Sequence, residues 1–169
     1  LSFMNLLEAH VLGAITRTHG VKLQKTREAL RFVAQHMNVR RPLLSQRFQT
    51  DGKDLFVEHL GHLVTASRAG QTVIEALTLR LARIEWDEEG LGRALYPFTR
   101  PQIQESAPRL IRIDATIAFG RPVIAGTGIP AAEVAERFRA GESIDELCAD
   151  FSRSQAEIEE SIRWVAETR

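Results

Sequence analysis

Apolar residues near the start of the chain recur at helical spacing. Phe3, Leu6, Leu7, His10, Val11, Ala14 and Ile15 fall on one face. That stripe predicts a helix capped by Ser2 and ended at Thr18-His19-Gly20. A second helix is predicted from about Lys22 to Met37, with Leu23, Leu30, Val33 and Met37 inward, and Arg40-Arg41-Pro42 breaks it. The period then changes in QRFQTDGKDLFVEHLGHLVTAS. Asp51-Gly52 between two β-prone runs predicts a hairpin, and Leu60-Gly61 predicts a turn into a third short strand, His62–Thr65. Helical spacing returns over Gly70–Ala82. RIEWDEEGLGRALYPF reads as a further hairpin around the acidic turn Asp87-Glu88-Glu89-Gly90.

Residues 97–108 hold Pro97, Pro101 and Pro108 among Gln, Ser and Thr, which is a linker composition. A new unit is expected from Arg109. It opens with the strand RLIRID, continues through FGRPVIAGTGIP and ends in three short helices. Pro130 suits the first position of the first of these, Val134 and Phe138 form its inner stripe, and Gly141 ends it. Ser143 with Glu146, and Ser154 with Glu157, have the spacing of capping boxes. Ile144, Leu147 and Phe151 follow the first box as core residues; Ile158, Ile162 and Val165 follow the second. The expected fold class is α+β: an N-terminal domain over 1–96, a linker over 97–108 and a C-terminal trihelical domain over 109–169.

Composition narrows the function classes. A length of 169 residues suits one ordinary domain or two small ones, and 44% apolar with 26% charged residues is a normal globular mixture. No apolar run reaches the roughly 18–20 residues of a membrane span. The first helix has neither a basic leader nor a small-residue cleavage site. The lone Cys148 has no partner for an internal disulfide, so a cytoplasmic setting is expected. Charge is uneven. Residues 1–70 carry ten Lys and Arg against five Asp and Glu, whereas residues 109–169 carry eight against eleven. A basic front and an acidic back point to nucleic acid at one end and a different partner at the other.

Candidate chemistry is thin. Gly126, Gly128 and Ala131 spell G-x-G-x-x-A, and Asp145 lies near the distance of a ribose-binding acid. Dinucleotide binding needs a strand–helix–strand unit. Here at most Val123–Ala125 precedes the motif and no strand follows, so the glycines are expected to permit a sharp turn where a side chain would clash. His59 and His62 lack the spacing and companions of a zinc site. Cys148 is expected to be a buried, inert thiol, and Asp87, Glu88 and Glu89 a solvated turn. No nucleophile, metal site or cofactor is expected, and the chain is read as a non-enzyme. The helix pair Ser143–Phe151 and Ser154–Glu167 around Ser152-Arg153 has helix-turn-helix lengths. The start of its second helix presents Gln155, Glu157, Glu159 and Glu160, and phosphates repel such carboxylates. The better DNA-binding candidates are Lys22, Lys25, Arg27, Arg31, Arg40 and Arg41; the alternative for them is a solvated basic face.

The segment from Ile111 to Val165 resembles a widespread small bacterial domain of formerly unknown function. It carries Gly120-Arg121-Pro122-Val123-Ile124, Gly126-Thr127, Ile129-Pro130 and Ala140-Gly141-Glu142-Ser143, then Glu146-Leu147. It departs from the family at Gly128, where Arg is common. NLLEAHVLGAITRTHGVKLQKTREAL and PLLSQRFQTDGKDLFVE are similar to the later part of a MerR-like winged helix-turn-helix. That likeness implies a partial winged-helix N-terminal domain whose recognition helix lies upstream of Leu1, so the chain is expected to be a fragment. Together the chain resembles VapB-type antitoxins of bacterial type II toxin–antitoxin systems. The resemblance implies a homodimer that binds operator DNA and neutralises a PIN-domain ribonuclease toxin, whose site is a metal-binding carboxylate cluster. Arg121, Thr127, Ile129, Arg137 and Arg139 are the candidate toxin contacts, with Arg153 and Arg163 further candidates on charge. Such an inhibitor blocks the site sterically or sets an arginine against the carboxylates, and Arg121 is the first candidate for that arginine. Val134 and Phe138 are expected in the domain's own core. The alternatives are a stand-alone transcription regulator and a small nucleotide-using enzyme.

Overall fold

A computed structural model describes residues 2–18, 22–63, 69–100 and 103–168. The fold is α+β, and the chain divides into two compact units, Leu1–Arg93 and Ala94–Arg169.

The first unit is mainly helical. Helix α1 (Phe3–Thr18) begins where Ser2 Oγ accepts the Asn5 N–H at 3.2 Å, and it buries Leu7 and Val11. His19-Gly20, expected to end it, lies outside the described residues. Helix α2 (Leu23–Met37) buries Thr26, Ala29 and Val33. Its phase corrects one expectation: Leu23 is 43% exposed, because it sits before the buried stripe. Asn38 closes α2 in the left-handed region, and the Val39 N–H reaches back to the Ala34 carbonyl. This is the αL stop that leaves the following Arg40-Arg41-Pro42 outside the helix.

The stretch predicted as a hairpin is helical. Phe48–Gly52 forms a π-helical turn that runs straight into α3 (Lys53–Leu63). Phe48, Phe56 and Leu60 lie in the core, and the Phe48 and Phe56 rings meet edge-to-face at 6.0 Å. Gly52 is not a turn glycine. A Cβ there would lie 2.7 Å from the Met37 sulfur and 2.9 Å from the Phe48 ring, so glycine permits close approach. Leu60, Gly61 and His62 continue α3 rather than opening a third strand, and Thr65 lies outside the described residues. Helix α4 (Ala69–Leu81) comes next, burying Val73, Leu77 and Leu81, and then strand β1 (Ile84–Trp86). The acidic turn after β1 forms as expected: the Asp87 carboxylate accepts the Glu89 and Leu91 amides at 3.0 and 2.8 Å. Gly92 begins the return strand β2 (Gly92–Leu95).

In the second unit, Ala94 and Leu95 of β2 pair antiparallel with β3 (Ile111–Asp114). β3 pairs antiparallel with the short β4 (Val123–Ile124). Residues 97–108 carry no helix or strand among those described; Pro97 and Thr99 are buried. Three helices complete the unit: α5 (Ala131–Arg139), α6 (Ile144–Phe151) and α7 (Gln155–Glu167). Both capping boxes are present in full, with Ser143 and Ser154 each exchanging bonds with the glutamate three residues on. Gly141 and Ser152, both at positive φ, stop α5 and α6 in the manner of Asn38, and the amides of Glu142 and Arg153 bond back to Arg137 and Cys148. Ile124, Val134, Leu147 and Ile158 make the core, with Ile129, Ile144, Cys148, Phe151 and Ile162 packed on it. Phe138 departs from its expected core place: it is 39% exposed, one turn past the buried Val134. No described helix is long and apolar enough to cross a membrane.

Candidate functional site

The loop region of the second unit starts at Asp114. Its carboxylate is fully buried at the end of β3 and accepts the Thr116 amide at 2.8 Å, the Thr116 hydroxyl at 2.6 Å and an Arg112 guanidinium N–H at 3.0 Å. These bonds pin the chain as it leaves the sheet. The next turn has an unusual backbone. Ala118, Phe119 and Gly120 all have positive φ, at 47°, 58° and 75°. Left-handed backbone costs an L-residue about 1–2 kcal/mol, and a bulky aromatic is among the least suited to it. The turn is held by the Gly120 amide on the Ile117 carbonyl at 2.9 Å and the Arg121 amide on the Ala118 carbonyl at 3.2 Å. Arg121 Nε also donates to the Ala118 carbonyl, at 3.1 Å, so this side chain braces the turn while it remains exposed to solvent.

The G-x-G-x-x-A segment forms a closed hairpin-like loop. The Thr127 amide bonds to the Ile124 carbonyl at 3.0 Å, Ile124 N–H to the Ile129 carbonyl at 2.9 Å, and Ala131 N–H to the Pro122 carbonyl at 2.9 Å. The Thr127 hydroxyl donates to the Ile124 carbonyl at 2.8 Å and accepts the Ile129 amide at 3.1 Å. A phosphate cradle needs amides turned outward to the ligand. Here the amides of Thr127, Ile129 and Ala131 are taken up inside the loop. The two glycines also differ from expectation, since a Cβ on either would meet nothing within 4 Å. Gly126 is needed for its φ of +77°, not to avoid a clash. Neither reason applies to Gly128, which is exposed and lies outside the left-handed region.

The expected toxin contacts occupy different environments. Arg121 and Arg139 are exposed. Thr127 is half-buried by its own loop bonds, and Ile129 is partly buried against the core. Arg137 is already engaged. Its Nε donates to Glu142 at 2.8 and 3.0 Å, a terminal nitrogen reaches Asp150 at 2.5 Å, and the guanidinium lies 5.0 Å from the Phe151 ring centre. The hydrogen bonds it donates to Glu142 and then to Asp150 raise its pKa well above the ordinary arginine value.

Helices α6 and α7 follow one another across Ser152-Arg153 with about the expected lengths, but the expected charge pattern at the start of α7 needs a correction. Glu160 points inward and is 2% exposed. The Thr99 hydroxyl donates to it, and Arg100 and Arg163 approach its carboxylate at 3.2 and 3.5 Å. Glu157 is taken up by its capping box, where the Ser154 hydroxyl lowers its pKa most. Glu159 remains on the helix, accepting from Gln155 at 2.6 Å.

In the first unit, Arg27 and Arg31 of α2 and Arg40 and Arg41 after it converge on one cleft of about 280 Å³, with Glu8 as its one acid. Lys22 and Lys25 lie at the start of α2, away from that lining; Lys25 pairs with Glu28 at 3.7 Å. His59 stacks on Phe32 at 3.9 Å within helical surroundings, and the His62 side chain lies outside the described residues. Cys148 is half-buried on the core, and no cluster of three or more His, Cys, Asp or Glu able to hold a metal occurs among the described residues.

The match to a protein family falls on this loop and its helices. Residues 111–164 match the family described as "Protein of unknown function (DUF433)". The whole chain has relatives too. It is 25% identical to the Mycobacterium tuberculosis protein named "Putative antitoxin VapB45", over 98% of this chain and 72% of that protein. The crystal structure of Rv2018 from Mycobacterium tuberculosis superposes with a TM-score of 0.74 at 21% identity, covering 96% of this chain and 78% of that one. That likeness establishes a shared fold. Residue order marks the loop but not the exposed Phe119, whose strained backbone has no sequence signature, nor the inward turn of Glu160.

Proposed function

We propose that this chain is a non-catalytic antitoxin of a type II toxin–antitoxin pair. The observation that carries the reading is the likeness to the Mycobacterium tuberculosis antitoxin-named protein along 98% of the chain. The partner is a PIN-domain ribonuclease, and the contact surface is the loop region from Arg121 to Ile129 with Arg139 beyond it. Arg121 is the arginine best suited to meet carboxylates, because it is exposed and its side chain bonds the described residues through Nε, leaving the terminal nitrogens for a partner. Arg137 serves instead to tie α5 to α6 through Glu142 and Asp150. The four arginines around the first unit's cleft support a second role, binding operator phosphates, with Lys22 and Lys25 as flanking contacts. A homodimer suits a two-fold operator. Glu157 and Glu159 near the start of α7 leave that helix poorly suited to a DNA groove.

Co-expression with a candidate PIN-domain nuclease, followed by pull-down and a ribonuclease assay, tests this. A stable complex with silenced nuclease is expected, and Arg121→Ala should restore cleavage. Absence of a complex, with the nuclease fully active, would refute the reading and leave a stand-alone DNA-binding regulator. Operator binding is tested separately by salt-dependent titration, in which Arg27→Ala and Arg40→Ala should each lower the salt slope.

A further inference from the structure

Phe119 is 97% exposed, the most exposed of the large apolar residues described. It also sits at φ 58° between two other residues of positive φ. Glycine or asparagine would hold this turn with less strain and better solvation. The fold thus gains nothing from phenylalanine here, on either count. A covered state is what would favour it.

The surroundings say what kind of cover. From Ala115 to Pro130 the only charged residue is Arg121. An aromatic ring and an arginine within an otherwise uncharged segment match the composition of an interface centre, where charge is depleted and aromatic and Arg side chains carry the binding energy. The turn is braced by Arg121 Nε and by the Gly120 and Arg121 amides, so the backbone that carries the ring is ordered before binding. We infer that Phe119 is the anchor of the partner interface, inserting into an apolar pocket beside carboxylates that pair with Arg121. This rests on the antitoxin reading and adds to it a specific feature of the partner, an aromatic-sized pocket at the rim of its acidic site. A nucleic acid stacked on the ring is the less suitable occupant, since residues 109–169 hold eight basic against eleven acidic residues.

The test uses this chain and the same candidate PIN-domain nuclease. Wild type, Phe119→Gly, Phe119→Asn and Phe119→Leu are titrated against the nuclease and melted by circular dichroism. Phe119→Gly and Phe119→Asn should melt at or above the wild-type temperature and bind at least about thirtyfold more weakly, the loss that marks an interface hot spot. Phe119→Leu should fall between. Binding of both variants, Gly and Asn, within about threefold of wild type overturns the anchor while leaving the antitoxin reading in place. A lower melting temperature for both makes Phe119 a structural residue and also overturns it. Failure of wild type itself to bind overturns both. Phe119-dependent binding of an oligouridine probe, with no effect on the nuclease complex, replaces the protein pocket with a stacked base.

Discussion

Replacing Glu160 tests how far a single buried carboxylate holds the second unit together. Its side chain is 2% exposed, and it receives the Thr99 hydroxyl, Arg100 and Arg163. Thr99 is itself 3% exposed, so the Thr99–Glu160 contact is sheltered from water. Arg100 and Arg163 have side chains 50% and 44% exposed, so much of their charge stays solvated without the acid. Glu160→Gln keeps an acceptor for Thr99 and removes the charge. It forfeits charge assistance on partly exposed partners, which amounts to about 1 kcal/mol. Glu160→Ala also leaves the Thr99 hydroxyl unsatisfied, about 1–3 kcal/mol, and opens a small void. The expected losses are therefore about 1 kcal/mol for Gln and about 2–4 kcal/mol for Ala. Urea unfolding monitored by circular dichroism reads both, with unchanged m-values confirming comparable unfolding. Thr99→Val should fall between, and its effect should largely vanish in the Glu160→Ala background, because the two share one interaction. A loss under about 0.5 kcal/mol for Glu160→Ala would sink the argument, since it would mean the acid is as comfortable solvated as buried.

Three further outcomes are expected. Gly126→Ala should destabilise by about 1–2 kcal/mol, because alanine must adopt φ +77°, whereas Gly128→Ala should change stability by less than about 0.5 kcal/mol; thermal melts of the pair read the contrast. His10 has its pKa lowered to about 4 by burial first and then by the nearby Arg80 charge. The unfolded chain thus takes up a proton near pH 6.5 that the folded chain refuses until about pH 4. Stability from this group is intact above pH 6.5 and falls between pH 6.5 and 4 by up to about 3 kcal/mol, and His10→Gln should flatten that part of the stability–pH curve. Ser154→Ala removes the hydroxyl that accepts the Glu157 amide, and should lower stability by about 1 kcal/mol in urea unfolding, with Ser143→Ala similar for α6.

Much of the fold is legible in the chain because its signals are local. The stripes of α1, α2 and α4, the Asp87 turn and both Ser-x-x-Glu boxes each depend on residues within one or two turns of one another. The stretch around Asp51-Gly52 is different. The dipeptide has the chemistry of a hairpin turn, but Gly52 is present because Met37, at the end of α2, packs where its side chain would stand. Tertiary contact overrides the local preference, and the spacing of Phe48, Phe56 and Leu60 is the helical signal that stands against it. Leu23 and Phe138 each lie at the edge of a stripe, where hydrophobicity alone does not fix the side facing the core. Glu160 is harder still: its inward turn depends on Thr99 and Arg100, far earlier in the chain. The loop from Gly120 to Pro130 is readable as a motif, while the left-handed run at Ala118 and Phe119 is not, since no residue preference predicts it.

The two glycines of the loop have unequal duties. Gly126 fixes the path of the backbone, and the hydrogen bonds of Thr127 hold it. Gly128 stands in open space at the loop's tip with no conformational duty. A Cβ can be added there without a clash. On the antitoxin reading proposed above, a change at this one position would alter the face offered to the partner while the scaffold stays the same.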